Sequence, residues 1–210
     1  MPHAVILANG SPPTPELLKH ALAGNPLFLC ADGGANAART LGARPAAIVG
    51  DFDSVTRATL AHFKDVPQIK DQDQERTDTE KAVDYALSQG RFDTITLLGA
   101  GAGRLDHLIG HVGLLRKYAG RARLILESEE DRAYVADGDV TLDLPPGTTV
   151  SFFAIGAPVE GVTTENLRYP LQNRTLELGV QDSVSNVVER TPATIRFPKG
   201  HLLVIEATRR

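Results

Sequence analysis

Short apolar runs alternate with amphipathic segments over the first 130 residues of the chain. Runs bounded by Gly, Pro, Asn or Asp predict strands at residues 5–7, 27–30, 48–49, 94–98 and 123–126. Apolar positions at helical spacing predict helices at residues 15–22, 35–41, 56–63, 77–87 and 105–118. Because strands and helices alternate, this part is expected to be an α/β domain with a mostly parallel sheet.

The pattern changes after about residue 130, where the helical spacing ends. Short strands separated by turn sequences such as Asp137-Gly138 are predicted at residues 140–144, 149–155, 175–178, 184–188, 194–197 and 202–207. This spacing indicates a small antiparallel sandwich or barrel. The polar segment 128–132 is therefore placed at a domain boundary, giving domains of residues 1–130 and 131–210.

Acidic residues and glycines follow two of the predicted strands. Asp51 and Asp53 come directly after Gly50, and Asp32 precedes two glycines after another strand. The carboxyl ends of parallel strands meet at one edge, where ligands bind. Asp51 and Asp53 alone are more typical of a solvated, capped turn, and Asp32 alone fits a capped turn as well as a ligand site. Together they predict a site for a hard cation such as Mg²⁺ and a phosphate group. This makes the chain an enzyme candidate.

A glycine-rich segment at residues 99–103 leads into Arg104, Asp106 and His107. An arginine there is suited to hold phosphate oxygens, and the acid to bind a metal or accept a proton from an attacking hydroxyl. The glycine spacing is not the dinucleotide-binding fingerprint, and the lysine of a phosphate-binding P-loop is absent.

Two further positions have both a structural and a functional interpretation. Thr77 and Asp78 open a predicted helix, so they are typical of a cap, but Asp78 could also face a metal held by Asp51 and Asp53. Ser185 and Asn186 lie in the strand-rich half, either at an ordinary strand edge or in a polar pocket for an organic substrate.

Composition narrows the class of protein. The chain of 210 residues is 42% hydrophobic and 23% charged, as in an ordinary globular protein. Its net charge of −4 argues against a nucleic-acid partner. Cys30 is the only cysteine in the sequence, which excludes an intrachain disulfide and a cysteine zinc cluster. Without an apolar run of signal-peptide or membrane-spanning length, a cytoplasmic location and no membrane partner are expected.

Taken in order, these motifs resemble the thiamine pyrophosphokinase family. The matching pieces are residues 31–36, 50–54, 77–82 and 103–107 in the first half, and 161–165, 167–171 and 183–186 in the second. The resemblance therefore spans nearly the whole chain, and the joint order of the pieces is far more specific than any one of them.

The resemblance implies an N-terminal α/β domain that binds the nucleotide and a C-terminal antiparallel β-sandwich that binds thiamine. It implies Mg²⁺-dependent transfer of pyrophosphate from ATP to thiamine, giving thiamine diphosphate and AMP. It also implies a homodimer with the active site at the subunit interface.

The resemblance also implies roles for individual residues. Metal ligands would be Asp51, Asp53 and Asp78, and catalytic residues Asp78, Arg104 and Asp106. The nucleotide would contact Asp32, Gly33, Gly34, Gln74, Thr77, Arg104 and His107, with Gln72 as the alternative to Gln74. Ser185 and Asn186 would help to position thiamine.

Three positions depart from the family pattern. Ala102 stands where a second glycine is usual, His111 where an asparagine is usual, and Val187 where a glutamate is usual. The acidic positions are all retained.

Two other classes of function fit parts of the pattern. One is another Mg²⁺-dependent enzyme, either a transferase that uses a nucleotide or nucleotide-sugar or a phosphohydrolase. The other is a non-catalytic protein that binds nucleotide or thiamine. The retained acids and Arg104 favour an enzyme, since binding alone does not need them all.

Overall fold

The computed structural model describes residues 2–101 and 104–208 of the chain. Their contacts divide the chain into two compact units. The first unit comprises Met1–Leu114 and Ala122–Glu129, and the second comprises Leu115–Arg121 and Glu130–Arg210.

A parallel sheet forms the centre of the first unit. Its strands are β1 (His3–Leu7), β2 (Leu27–Ala31), β3 (Ala47–Gly50), β4 (Gln68–Lys70), β5 (Thr94–Leu98) and β6 (Arg123–Glu127). They lie in the order β6-β5-β1-β2-β3-β4, and each neighbouring pair is parallel. The predicted α/β class is confirmed. Of these strands only β4 was not predicted. It has three residues, and a single apolar residue between Gln68 and Lys70 does not give the alternation that identifies a strand.

The helices of the structure are α1 (Pro15–Ala21), α2 (Gly34–Thr40), α3 (Arg57–His62), α4 (Asp78–Gln89) and α5 (Leu105–Lys117). All five were predicted to within a few residues. The side chains of Thr14, Thr56 and Thr77 cap α1, α3 and α4 by accepting a backbone N–H from the first turn. Within residues 2–101 and 104–208, none of the helices has both the length and the apolar character needed to cross a membrane.

Helix α4 packs its apolar face on the sheet through Ala82, Val83 and Ala86, which are fully buried. The next three residues of its first turn after Asp78 are buried as well, although two of them are Glu80 and Lys81. Charged side chains are almost never buried without partners. The buried charges at the start of α4 are therefore expected to have partners of opposite charge or hydrogen bonds.

Strand β1 lies between β5 and β2. After β1 the chain adds β2, β3 and β4 on one side of it, and then β5 and β6 on the other side. Such a switch point opens a crevice at the carboxyl ends of the strands. Backbone N–H of Ala8 donates to the carbonyl of Leu98 at 2.8 Å, which joins the loops after β1 and β5. The loops that follow β2, β3 and β4 emerge at the same edge.

The second unit contains antiparallel strands: β7 (Asp131–Ala136), β8 (Val140–Leu142), β9 (Thr149–Ala154), β10 (Val159–Glu165), β11 (Arg174–Leu176), β12 (Ser183–Val187), β13 (Ala193–Arg196) and β14 (Leu202–Ala207). They are ordered β12-β9-β14-β7 and β11-β10-β13-β8. The predicted antiparallel second part is confirmed. Sequence patterns missed β7 because it starts in a charged segment, and β10 because Gly161 interrupts its apolar alternation.

The contact between α2 and the end of β1 requires a glycine. A Cβ on Gly34 would lie 2.0 Å from the carbonyl oxygen of Leu7, whereas a Cβ on Gly113 in α5 would meet nothing within 4 Å. We expect Gly34→Ala to lower the free energy of unfolding by more than about 2 kcal/mol. Gly113→Ala, the matched control, should raise it by about 0.5–1 kcal/mol. Urea denaturation of both variants measures this, and equal effects would contradict the close approach.

Candidate active site

Three carboxylates meet at the carboxyl edge of the parallel sheet. Asp32 follows β2, Asp51 follows β3, and Asp78 is the first residue of α4. One oxygen of each lies within 4.8 Å of the others. These three residues are called the acidic cluster below. Oxygen donors at this spacing are the ligand set that a hard divalent cation prefers.

Asp32 is the most buried member of the acidic cluster, with 1% of its surface exposed. Its carboxylate accepts hydrogen bonds from the backbone N–H groups of Ser54 at 3.0 Å and Val55 at 3.4 Å. Burial raises the pKa of Asp32, the Ser54 hydrogen bond opposes that effect, and the charge of Asp78 raises it further. The backbone at Asp32 has φ of +41°, which is unusual for a residue other than glycine.

Gly50 allows this close approach of the carboxylates. A Cβ at Gly50 would lie 2.8 Å from Cβ of Asp32 and 3.2 Å from Oδ1 of Asp78. A side chain there would therefore push β2 or α4 away from the end of β3. The glycine before Asp51 has a packing role that is independent of any ligand.

A buried lysine balances part of the negative charge. The Lys81 side chain is 2% exposed, and its ammonium group lies 3.0 Å from Oδ1 of Asp78. It also donates to the backbone carbonyl of Asp71 at 3.1 Å. Sequence reasoning missed Lys81. The available signal was an acid and a lysine at positions i and i+3 of one helix.

Gln74 reaches the acidic cluster from the loop after β4. Its amide donates to Oδ2 of Asp51 at 3.4 Å and to the carbonyl of Gln72 at 3.3 Å. Of the two glutamines considered for the nucleotide, Gln74 is the one that contacts the acidic cluster in this structure.

Arg76 fixes the shape of that loop. Its guanidinium contacts Asp71 at 2.9 Å, Asp73 at 2.7 Å and Asp84 of α4 at 3.0 Å. The hydrogen bonds that Arg76 donates to Asp73 and Asp84 raise its pKa above the ordinary value. The loop carrying Gln74 is thus tied to α4 by one arginine, which sequence reasoning also missed.

Asp53 does not join the acidic cluster. Its carboxylate accepts a hydrogen bond from the hydroxyl of Ser54 at 2.7 Å, and its backbone N–H donates to Oδ1 of Asp51 at 3.1 Å. The geometry groups Asp51 and Asp78 with Asp32 instead. The metal-ligand role of Asp53 stays a prediction.

Arg104 and Asp106 form an exposed pair at the start of α5. The guanidinium Nε of Arg104 donates to Oδ1 of Asp106 at 3.1 Å, and Nη2 contacts Oδ2 at 2.5 Å. The Arg104 side chain is 72% exposed, and the Asp106 side chain is 62% exposed. The arginine hydrogen bond lowers the pKa of Asp106 to about 2. At neutral pH the Asp106 carboxylate is therefore ionised and acts as an acceptor. His107 is exposed beside it, while Ala102 and Gly103 lie outside the described residues.

Three other predicted site residues, Gly33, Gly34 and Thr77, have contacts within the protein that explain the residue type at each position. A Cβ on Gly33 would lie 2.4 Å from the side chain of Asn9, and Gly34 packs against the end of β1. The hydroxyl of Thr77 accepts the backbone N–H of Glu80 at 3.3 Å and caps α4. All three lie at the carboxyl edge, and their nucleotide contacts stay predictions.

Ser185 and Asn186 lie in β12 of the second unit. Asn186 is 1% exposed, and its amide accepts from the N–H of Tyr169 at 3.0 Å and donates to the Tyr169 carbonyl at 2.8 Å. It therefore fixes the Tyr169 backbone. Ser185 is exposed with φ of +54°, and its N–H donates to the hydroxyl of Ser151 at 2.9 Å.

Two family models match successive parts of the chain. The model described as "Thiamin pyrophosphokinase, catalytic domain" matches residues 18–126, and "Thiamin pyrophosphokinase, vitamin B1 binding domain" matches residues 139–202. The chain belongs to the thiamine pyrophosphokinase family. The resemblance drawn from the sequence motifs is confirmed, and the family is one of enzymes.

Individual relatives agree with this assignment. Thiamine pyrophosphokinase of Bacillus subtilis (strain 168) is 27% identical over 189 residues, covering 87% of each chain. Thiamine pyrophosphokinase 1 of Arabidopsis thaliana is 29% identical, covering 97% of this chain and 85% of its own. The crystal structure of thiamin pyrophosphokinase from Geobacillus thermodenitrificans matches with a TM-score of 0.86 at 27% identity, covering 100% of this chain and 98% of its own.

Removing the buried ammonium tests the charge balance of the acidic cluster. We expect Lys81→Met, with EDTA present, to lower the free energy of unfolding by roughly 1–3 kcal/mol, because Asp78 loses its paired cation. Excess Mg²⁺ should restore part of that loss and stabilise Lys81→Met more than the unchanged protein. Urea denaturation with EDTA and with Mg²⁺ gives both values.

Lys70→Met is the matched control, since Lys70 is an exposed lysine at the end of β4. It should change stability by less than about 0.5 kcal/mol in either condition. The same Mg²⁺ response in Lys81→Met and Lys70→Met would contradict a charge-balancing role of Lys81.

Proposed function

We propose that this chain transfers pyrophosphate from ATP to the hydroxyl of thiamine in an Mg²⁺-dependent reaction that gives thiamine diphosphate and AMP. The acidic cluster at the carboxyl edge of the parallel sheet is the observation that carries the proposal. It lies within the part of the chain matched by the catalytic-domain family model. We assign nucleotide binding and catalysis to residues 1–130 and thiamine binding to residues 131–210.

The chemistry of the acidic cluster fits Mg²⁺. Mg²⁺ takes oxygen ligands, retains several waters, and is usually held by one or two carboxylates together with substrate phosphates. Asp51 and Asp78, which are partly exposed, would hold it with support from the buried Asp32. When bound, it would neutralise negative charge on the polyphosphate.

The reaction forms a bond between the thiamine hydroxyl oxygen and the β-phosphorus of ATP. The bond from that phosphorus to the oxygen bridging to the α-phosphate breaks, and AMP leaves with the electron pair. Arg104 would place its guanidinium fork on the oxygens of the transferring group. Its exposure and its position at the start of α5 support this role.

Asp106 would accept a hydrogen bond from the thiamine hydroxyl and orient it. A carboxyl group with a pKa of about 2 is a weak base at neutral pH, so orientation is favoured over early deprotonation. Transfer through a loose transition state does not require an early loss of the hydroxyl proton. The proton passes to solvent after the new bond has formed.

The remaining assignments follow the family pattern. Nucleotide contacts are proposed for Asp32, Gly33, Gly34, Gln74, Thr77 and His107, and thiamine contacts for Ser185 and Asn186. We propose a cytoplasmic homodimer with thiamine bound at the subunit interface. Large apolar side chains exposed on the second unit support an interface there, namely Tyr169, Leu178, Val180 and Val184.

A product assay tests the function directly. Purified protein with ATP, Mg²⁺ and thiamine should form AMP and thiamine diphosphate in equal amounts, with chromatography separating AMP from ADP. Formation of ADP would indicate transfer of a single phosphoryl group instead. Binding of thiamine or ATP without turnover would favour the non-catalytic alternative.

The structure separates the two acids of the Asp-x-Asp motif. We expect Asp51→Asn to lower turnover by about 100-fold or more, because a carboxylate of the acidic cluster is lost. Asp53→Asn, the matched control, should lower it by less than about tenfold. Initial rates at saturating Mg²⁺ measure both. Unchanged turnover in Asp51→Asn, in protein that unfolds like the unchanged chain, would rule out the proposed metal site.

A further inference from the structure

His111 in α5 is buried, with 6% of its surface exposed, and both of its ring nitrogens have hydrogen-bond partners. Nδ1 lies 2.9 Å from the carbonyl oxygen of Ala100, and Nε2 lies 3.1 Å from the hydroxyl of Thr79. A carbonyl only accepts, so Nδ1 carries a proton and donates it to this bond. The Thr79 hydroxyl then donates to Nε2 of the neutral ring.

The two partners of His111 belong to different parts of the first unit. Ala100 lies in residues 99–101, the described start of the glycine-rich segment and called the glycine-rich loop below, which directly follow β5. Thr79 is the second residue of α4 and directly follows Asp78 of the acidic cluster. One imidazole ring therefore connects α5, the glycine-rich loop and the first turn of α4.

In the described residues 99–101, the glycine-rich loop has no side chain larger than a methyl group. Gly99 has φ of +65°, and a Cβ there would lie 2.7 Å from the carbonyl of Ala8, so the start of the loop is packed against the end of β1. The carbonyl of the following residue, Ala100, accepts the hydrogen bond from Nδ1 of His111. Arg104 follows four residues later along the chain.

We propose that His111 is a positioning residue of the active site, holding the glycine-rich loop that leads to Arg104 at a set distance from the α4 turn that carries Asp78. This inference rests on the proposed function for its catalytic consequence. An asparagine at this position would keep a donor at about the distance of Nδ1 from the backbone, but it would not extend as far as Nε2.

The electrostatic surroundings favour the neutral ring that this role needs. Burial lowers the pKa of His111, and the neighbouring His107, whose ring centroid is 6.3 Å away, lowers it further, against the opposing bond to Ala100. A neutral ring keeps one donor and one acceptor. Both contacts therefore persist at neutral pH.

Kinetics of graded variants separate positioning from simple packing. We expect His111→Leu to lower kcat about 10- to 100-fold with the KM for thiamine changed by less than about twofold, because the reacting groups are misplaced rather than removed. His111→Asn, which retains a donor for Ala100, should lose less than about tenfold. Thr79→Val removes only the hydroxyl, and combining it with His111→Leu should cost no more than His111→Leu alone.

His3 provides the matched control. Its Nε2 lies 2.9 Å from the hydroxyl of Thr96, so it makes a comparable histidine–threonine contact, but at the amino end of β1. His3→Leu should lower stability without changing kcat. If His111→Leu and Thr79→Val also lower stability alone and leave kcat unchanged, the positioning role is overturned.

Hydrogen–deuterium exchange supplies a readout that does not depend on turnover. Peptides containing Ala100 and Thr79 should exchange faster in His111→Leu and Thr79→Val but not in His3→Leu. If the unchanged protein makes no thiamine diphosphate but both peptides exchange faster in the two variants, the proposed function is rejected. The connection that His111 makes between Ala100 and Thr79 is then still supported. Unchanged exchange in both peptides would reject the connection itself, whatever the activity.

Discussion

Repulsion among like charges is the constraint on which the carboxyl edge of the parallel sheet depends. Asp32, Asp51 and Asp78 approach within 4.8 Å, and like charges at this distance repel one another, most strongly at the buried Asp32. Backbone N–H groups stabilise the Asp32 carboxylate, and the buried ammonium of Lys81 balances Asp78. Among these four side chains one positive charge faces three negative ones. The remaining negative charge equals in size the charge of a divalent cation. The fold therefore neutralises only part of the negative charge and leaves the rest for a bound cation.

The same edge also depends on backbone approaches that only glycine permits. Gly50 lets Asp32 and Asp78 come together across the end of β3, and Gly34 lets α2 start against the last carbonyl of β1. These glycines belong to sequence motifs that suggest contact with a phosphate. The fold already requires glycine at both positions for steric reasons, because a Cβ would push the neighbouring elements apart whether or not a ligand is bound. A glycine in such a motif is therefore evidence for close packing as much as for a nucleotide.

Connections between loops complete the site. Arg76 ties the loop after β4 to α4, and His111 ties the loop after β5 to the same helix. Both contacts converge on α4, whose first residue is Asp78. His111 contacts the first turn of this helix through Thr79, and Arg76 contacts its second turn through Asp84, so the helix that carries Asp78 is held at two points. A site assembled from such loops gains its precision from side chains that do not themselves touch the substrate.

The sequence by itself determined the α/β and antiparallel parts and the family, because apolar spacing, turn residues and the order of motifs are properties of the chain. It also predicted Asp51 and Asp78 as ligands of one metal, from the family resemblance and from their positions after a strand and at the start of a helix. It did not reveal β4, β7 or β10, whose short or interrupted patterns carry little signal. Only the tertiary structure decided that Asp32 rather than Asp53 joins the acidic cluster, that Lys81 contacts Asp78, and that His111 contacts Thr79. The direction of a side chain depends on local backbone angles and on hydrogen bonds between distant segments, which no linear pattern encodes.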